Sequence, residues 1–288
     1  MKFEKKHHHY VPQFWQRGFR NEKGRLYGKC QDGNIRVVSP KTIMQQDYLY
    51  TIFDDQWRPS DSQEDTLSAM EAEASELFQR LRQPDYTGTS DDRTCLCKVL
   101  ALQATRHPDI LRRGVKLSLE LGKALATAHD HSPEEFEALM SDFSVSEAEA
   151  HNCYAVLCAR SKEQLAEEWI ELTGLSPQSS QLPEQNALRA MPLVAQQLQQ
   201  MELWLLDVPA NEAFALGDTP IPQSDLHQGF TVPLSKSLAV SASPALVPQT
   251  LLHRRDATAT EVHNINRTQS DNALSVVVGP SMALLAAL

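Results

Sequence analysis

The amino-acid sequence predicts an α+β protein, in which strands from both ends of the chain form a sheet region packed against a central α-helical block. The first observation is an alternation of apolar and polar residues at 25–38 and again from 201 onward, which is typical of strands. The second is a change to three-and-four spacing between about 62 and 200, as on amphipathic helices. Strands and helices in separate runs favour the α+β class. We therefore expect one domain over residues 1–288, composed of 1–58, 62–200 and 201–288.

The N-terminal part opens on three consecutive histidines, which stand directly before an aromatic-Val-Pro step. Pro12 favours extended geometry in the residue before it and can itself begin a helix. We expect the histidines on an extended segment, where His7 and His9 share a face while His8 points away. An imidazole there can act as acid, base or metal ligand near neutral pH, and a buried structural histidine is the competing interpretation. The aromatic residues that follow, Phe14, Trp15 and Phe19, should bury and hold the segment against the protein body.

A β-hairpin is predicted after this segment. Residues 25–30 and 34–38 are rich in strand-forming residues and flank Asp32-Gly33, a turn sequence that favours hairpins. Residues 46–53 are predicted as one further strand. The N-terminal region should therefore be a small β-unit.

The helical block is predicted to start at Ser62, where acidic residues suit the positive end of a helix. A second helix is expected over 91–107, before Pro108. The remaining helices are predicted at 109–129, from Ser132, from Ser146 with Glu149 as its capping-box partner, at 163–173 and at 186–200. Residues 174–185 are rich in Ser, Pro and Gln and are predicted as a surface loop.

The C-terminal part returns to strand-like patterns. Strands are predicted at 202–208, 213–216, 230–232, 237–241 and 275–278. The apolar residues 282–288 are too short to span a bilayer and should form a docked helix or extend a strand. Asn264 and Asn266 are interpreted as loop-capping residues.

Composition limits the classes of function. The net charge of −10 argues against broad electrostatic binding to nucleic acid, while a local basic patch or a basic protein partner remains open. No apolar run reaches transmembrane length and the start lacks a signal core, so a cytoplasmic protein without membrane contact is expected. The number of cysteines is odd, which predicts reduced thiols at Cys30, Cys95, Cys97, Cys153 and Cys158.

Two further places carry candidate chemistry. Asp218 follows Gly217 at the end of a strand-like run, which suits a catalytic or metal-binding carboxylate, and equally a carboxylate that accepts backbone N–H groups in a turn. Gln103 and Arg106 are three residues apart on an otherwise apolar helix. Arg106 could bind a phosphate or carboxylate, and a structural salt bridge to Glu64 or Glu71 is the competing interpretation.

The chain also resembles a known family. The residues from His9 to Phe14, followed by Arg17 and Phe19, resemble the opening HYVPxxYL(R/K)xF of an uncharacterised bacterial family, a domain of unknown function (DUF4238). Later features match in order, including Gln103 with Arg106 and the run from Gly217 to Pro220, where the family usually reads (S/T)DxP. Gly217 departs from that pattern, as do Trp15 and Gln16 where Tyr and Leu are usual. The resemblance covers most of the chain and implies no established activity.

The chemistry available is that of His, Asp, Glu, Gln, Arg and Asn, because no P-loop, GxGxxG, GxSxG or HExxH occurs. This set suits metal-assisted phosphodiester hydrolysis with Mg²⁺ or Mn²⁺. The sequence therefore predicts a phosphodiesterase or nuclease of a bacterial conflict or defence system, acting on nucleic acid or nucleotides. The predicted catalytic residues are His9, Asp218, Arg106 and Gln103, and the predicted metal ligands are His9, Glu64 and Asp218.

Two other functions remain open. One is a non-catalytic binding protein, such as an immunity or regulatory partner, whose acidity would match a basic target. The other is a structural accessory domain with a satisfied polar core. The enzyme hypothesis predicts that His9, Arg106 and Asp218 share one polar cleft, because buried polar groups need partners.

Overall fold

The structure is a computed structural model that describes most of the chain. The described residues are 7–47, 49, 52–53, 59–60, 62–108, 120, 122–143, 145–165, 167, 182–222, 226–245, 247 and 250–288, with the backbone alone at 52–53, 59–60, 62–64 and 182–190. The chain divides into two compact units, Met1–Pro108 with Ala187–Leu288, and Asp109–Asn186. The α+β class is confirmed, and the prediction of a single domain stays a prediction.

One four-stranded sheet of the first unit joins the two ends of the chain. The predicted hairpin is present as β2 (Leu26–Cys30) and β3 (Ile35–Val38), and Gly33 takes the positive φ of 77° that the tight turn requires. The late strand β12 (Val276–Gly279) pairs antiparallel with β2, and β8 (Leu216–Gly217) pairs with its other side. The order is β3-β2-β12-β8, so strands from both ends of the chain share one sheet, as predicted.

The second four-stranded sheet is built from the C-terminal region alone. Its strands, in order across the sheet, are β11 (His253–Asp256), β7 (Met201–Asp207), β10 (Leu238–Pro244) and β9 (Phe230–Ser235). Burial alternates along much of β7, as the period-two pattern predicted. The strand β11 runs parallel to β7 and was not predicted.

The strand predicted over 46–53 is wrong in its extent. Its first part is β4 (Gln45–Asp47), which pairs antiparallel with the histidine strand β1 (His7–His9). Its end is β5 (Ile52–Phe53), which pairs instead with β6 (Pro59–Ser60). The run is split because its two parts pair with different strands, which short-range periodicity does not reveal.

The first helices begin close to their predicted positions. A short helix α1 (Gln13–Arg17) follows Pro12, and α2 (Ser62–Leu81) starts at the predicted residue. The helix α3 (Ser90–Thr105) starts from a capping box in which the Thr89 hydroxyl and the Asp92 carboxylate each bond the other residue's backbone N–H.

The second unit contains two of the predicted helices. Both α4 (Pro133–Ser141) and α5 (Glu147–Cys158) begin with capping boxes, from Ser132 and Ser146 respectively. A small core between them buries Phe136 and Met140. Of the helices predicted at 109–129 and 163–173, the described residues show helix at 120, at 122–126 and within 162–167. The first of them ends in a turn and a short 3-10 helix (Ala128–Asp130), and its other residues, like the rest of the second, lie outside the described part.

Three corrections concern the last third of the chain. The helix α6 (Leu182–Gln199) begins inside the predicted loop 174–185, because Pro183 fits a first turn where its missing N–H breaks no helical hydrogen bond. A helix α7 (Ala259–Asp271) stands where a loop was predicted. The strand predicted at 213–216 is limited to β8 (Leu216–Gly217). A terminal helix α8 (Met282–Ala286) is docked on β12, as predicted. None of the helices in the described part could span a membrane.

Candidate functional site

The segment around the HYVP sequence, residues 7–19 and hereafter the HYVP segment, is fixed to the first unit by Trp15. This side chain is fully buried, and its indole Nε1 donates a 2.9 Å hydrogen bond to the carbonyl of Pro233 on β9. Its ring meets Phe78 of α2 edge to face, with 5.1 Å between centroids. Phe19 is also fully buried, and half-buried Phe14 packs 5.4 Å from Phe78. The predicted anchoring by aromatic residues is therefore confirmed.

Two polar side chains of α3 hold the same segment through its carbonyl groups. The Gln103 amide donates through Nε2 to the carbonyl of Tyr10 at 3.0 Å. The Arg106 guanidinium donates to the carbonyl of His9 and, at 2.9 Å, to the carboxylate of Glu71 on α2. The Arg106 side chain is 2% exposed and that of Glu71 is 28% exposed, so the cation of this ion pair is buried while the carboxylate keeps some contact with water. Arg106 thus forms the structural salt bridge that was the competing interpretation of this residue, and its partner is Glu71.

The three histidines have three different environments. His7 is exposed and bonds Asp47 through Nδ1 at 2.6 Å, whereas His8 is fully buried on the opposite face. Burial lowers the pKa of His9, nearby cations including Arg106 lower it further, and a hydrogen bond to the backbone of Pro40 opposes them. Proline has no backbone N–H, so in this hydrogen bond the His9 ring donates to the carbonyl of Pro40. Its other nitrogen, Nε2, is buried without a partner among the described residues.

Asp218 lies in the sheet joint between β8 and β12. Its carboxylate accepts the backbone N–H groups of Leu274 at 2.8 Å and Val276 at 3.3 Å. Burial raises the pKa of Asp218, and the backbone donors oppose that effect. Gly217 is required here because a Cβ would lie 2.5 Å from the carbonyl oxygen of Gln269. Asp218 thus accepts backbone N–H groups, as its competing interpretation stated. The donors come from a distant part of the chain and not from a local turn.

The helix α7 supplies a polar joint that the sequence interpretation missed. Asn266 accepts from the N–H of Ala215 at 2.7 Å and donates to the carbonyl of Ala213 at 2.8 Å. The backbone at 213–215 thus pairs with a side-chain amide, which is why the predicted strand there is shorter. Gln269 bonds the N–H of Gly217 and the carbonyl of Pro220 in the same way. The capping box of Thr258 and Glu261 was the sequence signal for this helix.

The structure brings together only part of the predicted site. Arg106 contacts the His9 backbone and Gln103 bonds the next carbonyl, while Asp218 is bonded to residues of the C-terminal sheet. Within the described contacts, none links Asp218 to either His9 or Arg106. The side chain of Glu64 lies outside the described residues. Among those that are described, no three His, Cys, Asp or Glu side chains are grouped closely enough to hold a metal ion.

A cavity of about 260 Å³ lies between the HYVP segment, α2, α3 and α6. Most of its wall is apolar, contributed by Phe14, Trp15, Met70, Val99, Leu102 and Met191. Gln103 and the Arg106–Glu71 pair form polar parts of the wall, and the exposed Lys98 and Glu73 complete it. Apolar walls with a few convergent polar groups are typical of small-molecule sites. The sequence could not reveal this cavity, because its apolar residues follow the same spacing as a packed core.

The polar groups of this cavity differ in what they can still bind. Arg106 and Glu71 neutralise each other. Burial, with Glu73 nearby, raises the pKa of the Cys95 thiol to about 12, so it is protonated at neutral pH. Gln103 is 3% exposed, and its Oε1 has no hydrogen-bond partner among the described residues. This oxygen is buried within the wall and is not exposed to the cavity.

The protein thus has an α+β fold, with a mainly apolar cavity next to its N-terminal segment. The chain belongs to the family described as "Protein of unknown function (DUF4238)", whose sequence profile matches residues 7–282. No curated protein matches the chain, and no solved structure does.

Proposed function

We propose that this protein is a non-catalytic binding protein whose cavity holds a small, largely apolar molecule. The observation that carries this proposal is the cavity of about 260 Å³ with a mainly apolar wall. An apolar molecule that enters the cavity leaves water and gains contacts with this wall, which favours binding. This develops the non-catalytic alternative predicted from the sequence, with a small molecule as the ligand.

The chemistry of the wall favours binding over catalysis. A nucleophilic thiol must be deprotonated, and burial keeps the Cys95 thiol protonated. The guanidinium of Arg106 is already bonded to Glu71 and to the HYVP segment. The buried Gln103 and Arg106 side chains of the described wall thus both hold the HYVP segment.

The first prediction is that filling the cavity abolishes ligand binding. Ala74 lies on α2 in the cavity wall and is almost fully buried. We expect the wild-type protein to bind the bicyclic probes indole and indene, and Ala74→Leu to weaken both at least about tenfold, because the added carbons occupy the ligand's volume. Isothermal titration calorimetry measures the affinities, and circular dichroism checks that the variant is folded.

The matched control for this prediction lies on α6. Leu193 is 66% exposed and outside the cavity wall, so Leu193→Ala should bind both probes as the wild type does. Equal affinity of Ala74→Leu and wild type would place the probes elsewhere and contradict the proposal. Absence of binding of either probe to the wild type would also contradict it.

The phosphodiesterase predicted from the sequence is a second candidate, and one observation supports it. The lowered pKa of His9 favours the neutral imidazole at pH 7, and its Nε2 lone pair has no partner within the described part of the chain. A neutral imidazole in a fixed orientation can act as a base or ligate a metal ion. The directly opposed residue on β4, Gln45, also has a buried Oε1 without a described partner.

The second prediction tests this candidate directly. A phosphodiesterase should cleave DNA, RNA or bis(p-nitrophenyl) phosphate with Mg²⁺ or Mn²⁺, and His9→Ala should lower the rate at least about 100-fold, as expected for loss of an acid–base group. His263→Ala is the control, because His263 is exposed on α7. A wild-type protein that is inactive on all three substrates, or a fully active His9→Ala variant, would eliminate this function.

A further inference from the structure

We propose that the outer edge of β3 binds an acidic peptide, which adds to the sheet as one more antiparallel strand. This edge is a second binding surface, so the inference goes beyond the proposed function. In the described part of the chain, β3 (Ile35–Val38) is the last strand of the order β3-β2-β12-β8 and pairs with β2 alone. A sheet edge with open backbone groups can accept a strand from a partner.

The open backbone groups of β3 belong to Ile35 and Val37. The hairpin is closed by a 3.1 Å hydrogen bond from the N–H of Cys30 to the carbonyl of Asn34. Hydrogen-bonded and non-bonded pairs alternate along an antiparallel ladder, so the next residue of β3 that bonds β2 is Arg36. Ile35 and Val37 therefore direct their N–H and C=O groups away from β2. Neither has another backbone partner among the described residues.

The side chains of β3 specify an alternating partner sequence. Val37 is 59% exposed and lies on the same face as Ile35, which packs against the buried cluster around Val277 and Leu285. An apolar residue opposite Val37 extends this cluster and removes Val37 from water. The exposed Arg36 lies on the other face, where an acidic residue opposite it forms a cross-strand ion pair.

The charge around this edge is opposite to that of the whole protein. Residues 17–41 contain seven Lys or Arg and two Asp or Glu, although the chain has a net charge of −10. Arg25, Arg36 and Lys41 are exposed, and no carboxylate of the described structure forms an ion pair with them. This excess of positive charge favours an acidic strand. A second copy of the chain would instead place the same basic residues against each other.

Two peptides of matched length test the charge of the partner. The probe is a fluorescein-labelled hexapeptide in which Glu and Val alternate, and its control has Lys in place of every Glu. We expect the wild-type protein to bind the Glu–Val peptide at least about tenfold more tightly, because like charges on neighbouring strands repel. Fluorescence anisotropy measures both affinities.

Two N-methylated forms of the Glu–Val peptide test the strand pairing on the unmodified protein. In the proposed register the valines lie opposite Ile35 and Val37 and exchange backbone hydrogen bonds with them, while the glutamate N–H groups point away from β3. Methyl groups on the valine nitrogens should weaken binding at least about tenfold, since they remove these bonds. Methyl groups on the glutamate nitrogens should weaken binding much less.

A pair of charge-reversal variants assigns the effect to this edge. Arg36→Glu should weaken the Glu–Val peptide about tenfold, because the cross-strand pair becomes repulsive. Arg267→Glu is the matched control, because the Arg267 side chain is 71% exposed and lies on α7, and it should bind as the wild type does.

The outcomes separate this inference from its rivals. A Glu–Val peptide that does not bind the wild type, or binds no better than the Lys–Val peptide, overturns it, as do equal effects of the two methylation patterns. Binding of a twelve-nucleotide oligothymidylate in place of the peptide would assign the edge to nucleic acid. A dimer in sedimentation that Arg36→Glu dissociates would assign it to a second copy, and either result overturns the inference. The cavity probes are measured separately, so failure here leaves the proposed function standing.

Discussion

Replacement of Arg106 by methionine should lower the free energy of unfolding by about 3 kcal/mol, as expected when one partner of a buried ion pair is removed. Arg106 is nearly inaccessible to solvent and bonds both Glu71 and the carbonyl of His9. Methionine keeps most of the apolar volume but leaves the Glu71 carboxylate without this cation. The His9 carbonyl loses its donor at the same time, so the N-terminal strand should detach more readily.

Urea unfolding followed by circular dichroism measures this change, since the midpoint reports stability when the slope is unchanged. Arg267→Met is the matched control, because Arg267 is mostly exposed and its pairing with Asp271 spans 3.7 Å. Exposed ion pairs contribute little, so the control should change by at most about 0.5 kcal/mol. Similar losses in the two variants would show that Arg106 has no special role in holding the HYVP segment.

Replacement of Trp15 by alanine should have the largest effect on stability, a loss of about 4 kcal/mol, which is typical for removing a fully buried large aromatic side chain. The variant loses the edge-to-face contact with Phe78 and the bond from Nε1 to the carbonyl of Pro233. The bond to Pro233 joins the HYVP segment to β9. The segment should therefore become susceptible to proteolysis before the rest of the first unit unfolds.

Trp15→Phe separates the two contributions in the same unfolding experiment. Phenylalanine keeps an aromatic ring beside Phe78 but cannot donate to Pro233, so we expect a smaller loss of about 1–3 kcal/mol, mainly from the unpaired buried carbonyl and the lost ring volume. Proteolysis mapped by mass spectrometry locates the first cleavage. A Trp15→Ala variant as stable as the wild type would contradict the anchoring role.

Local patterns in the sequence were enough to predict much of the fold. The hairpin around Asp32-Gly33 and the starts of α2, α4 and α5 follow from turn and cap chemistry acting over a few residues. The burial of Trp15 followed from its place in an apolar run. The capping box at Thr258 was equally local, but the polar residues after it were interpreted as a loop, and α7 was missed.

The role of each polar residue depended on contacts that sequence spacing does not encode. Arg106 and Glu71 are 35 residues apart, and Asp218 and Leu274 are 56 apart. The sequence identified Arg106 and Asp218 as polar groups in restricted surroundings that would need partners. Only the tertiary structure decided that one pairs with a helix carboxylate and the other with backbone N–H groups.

The sequence by itself determined the α+β class, the order of its main elements and the burial of Trp15 and Phe19, because periodicity, turns and caps act between near neighbours. The tertiary structure alone decided the pairing of β2 with β12, the partners of Arg106 and Asp218, and the cavity beneath Trp15. The cavity depends on how α2, α3 and α6 pack around the segment. The same apolar residues would give an identical pattern if that space were filled.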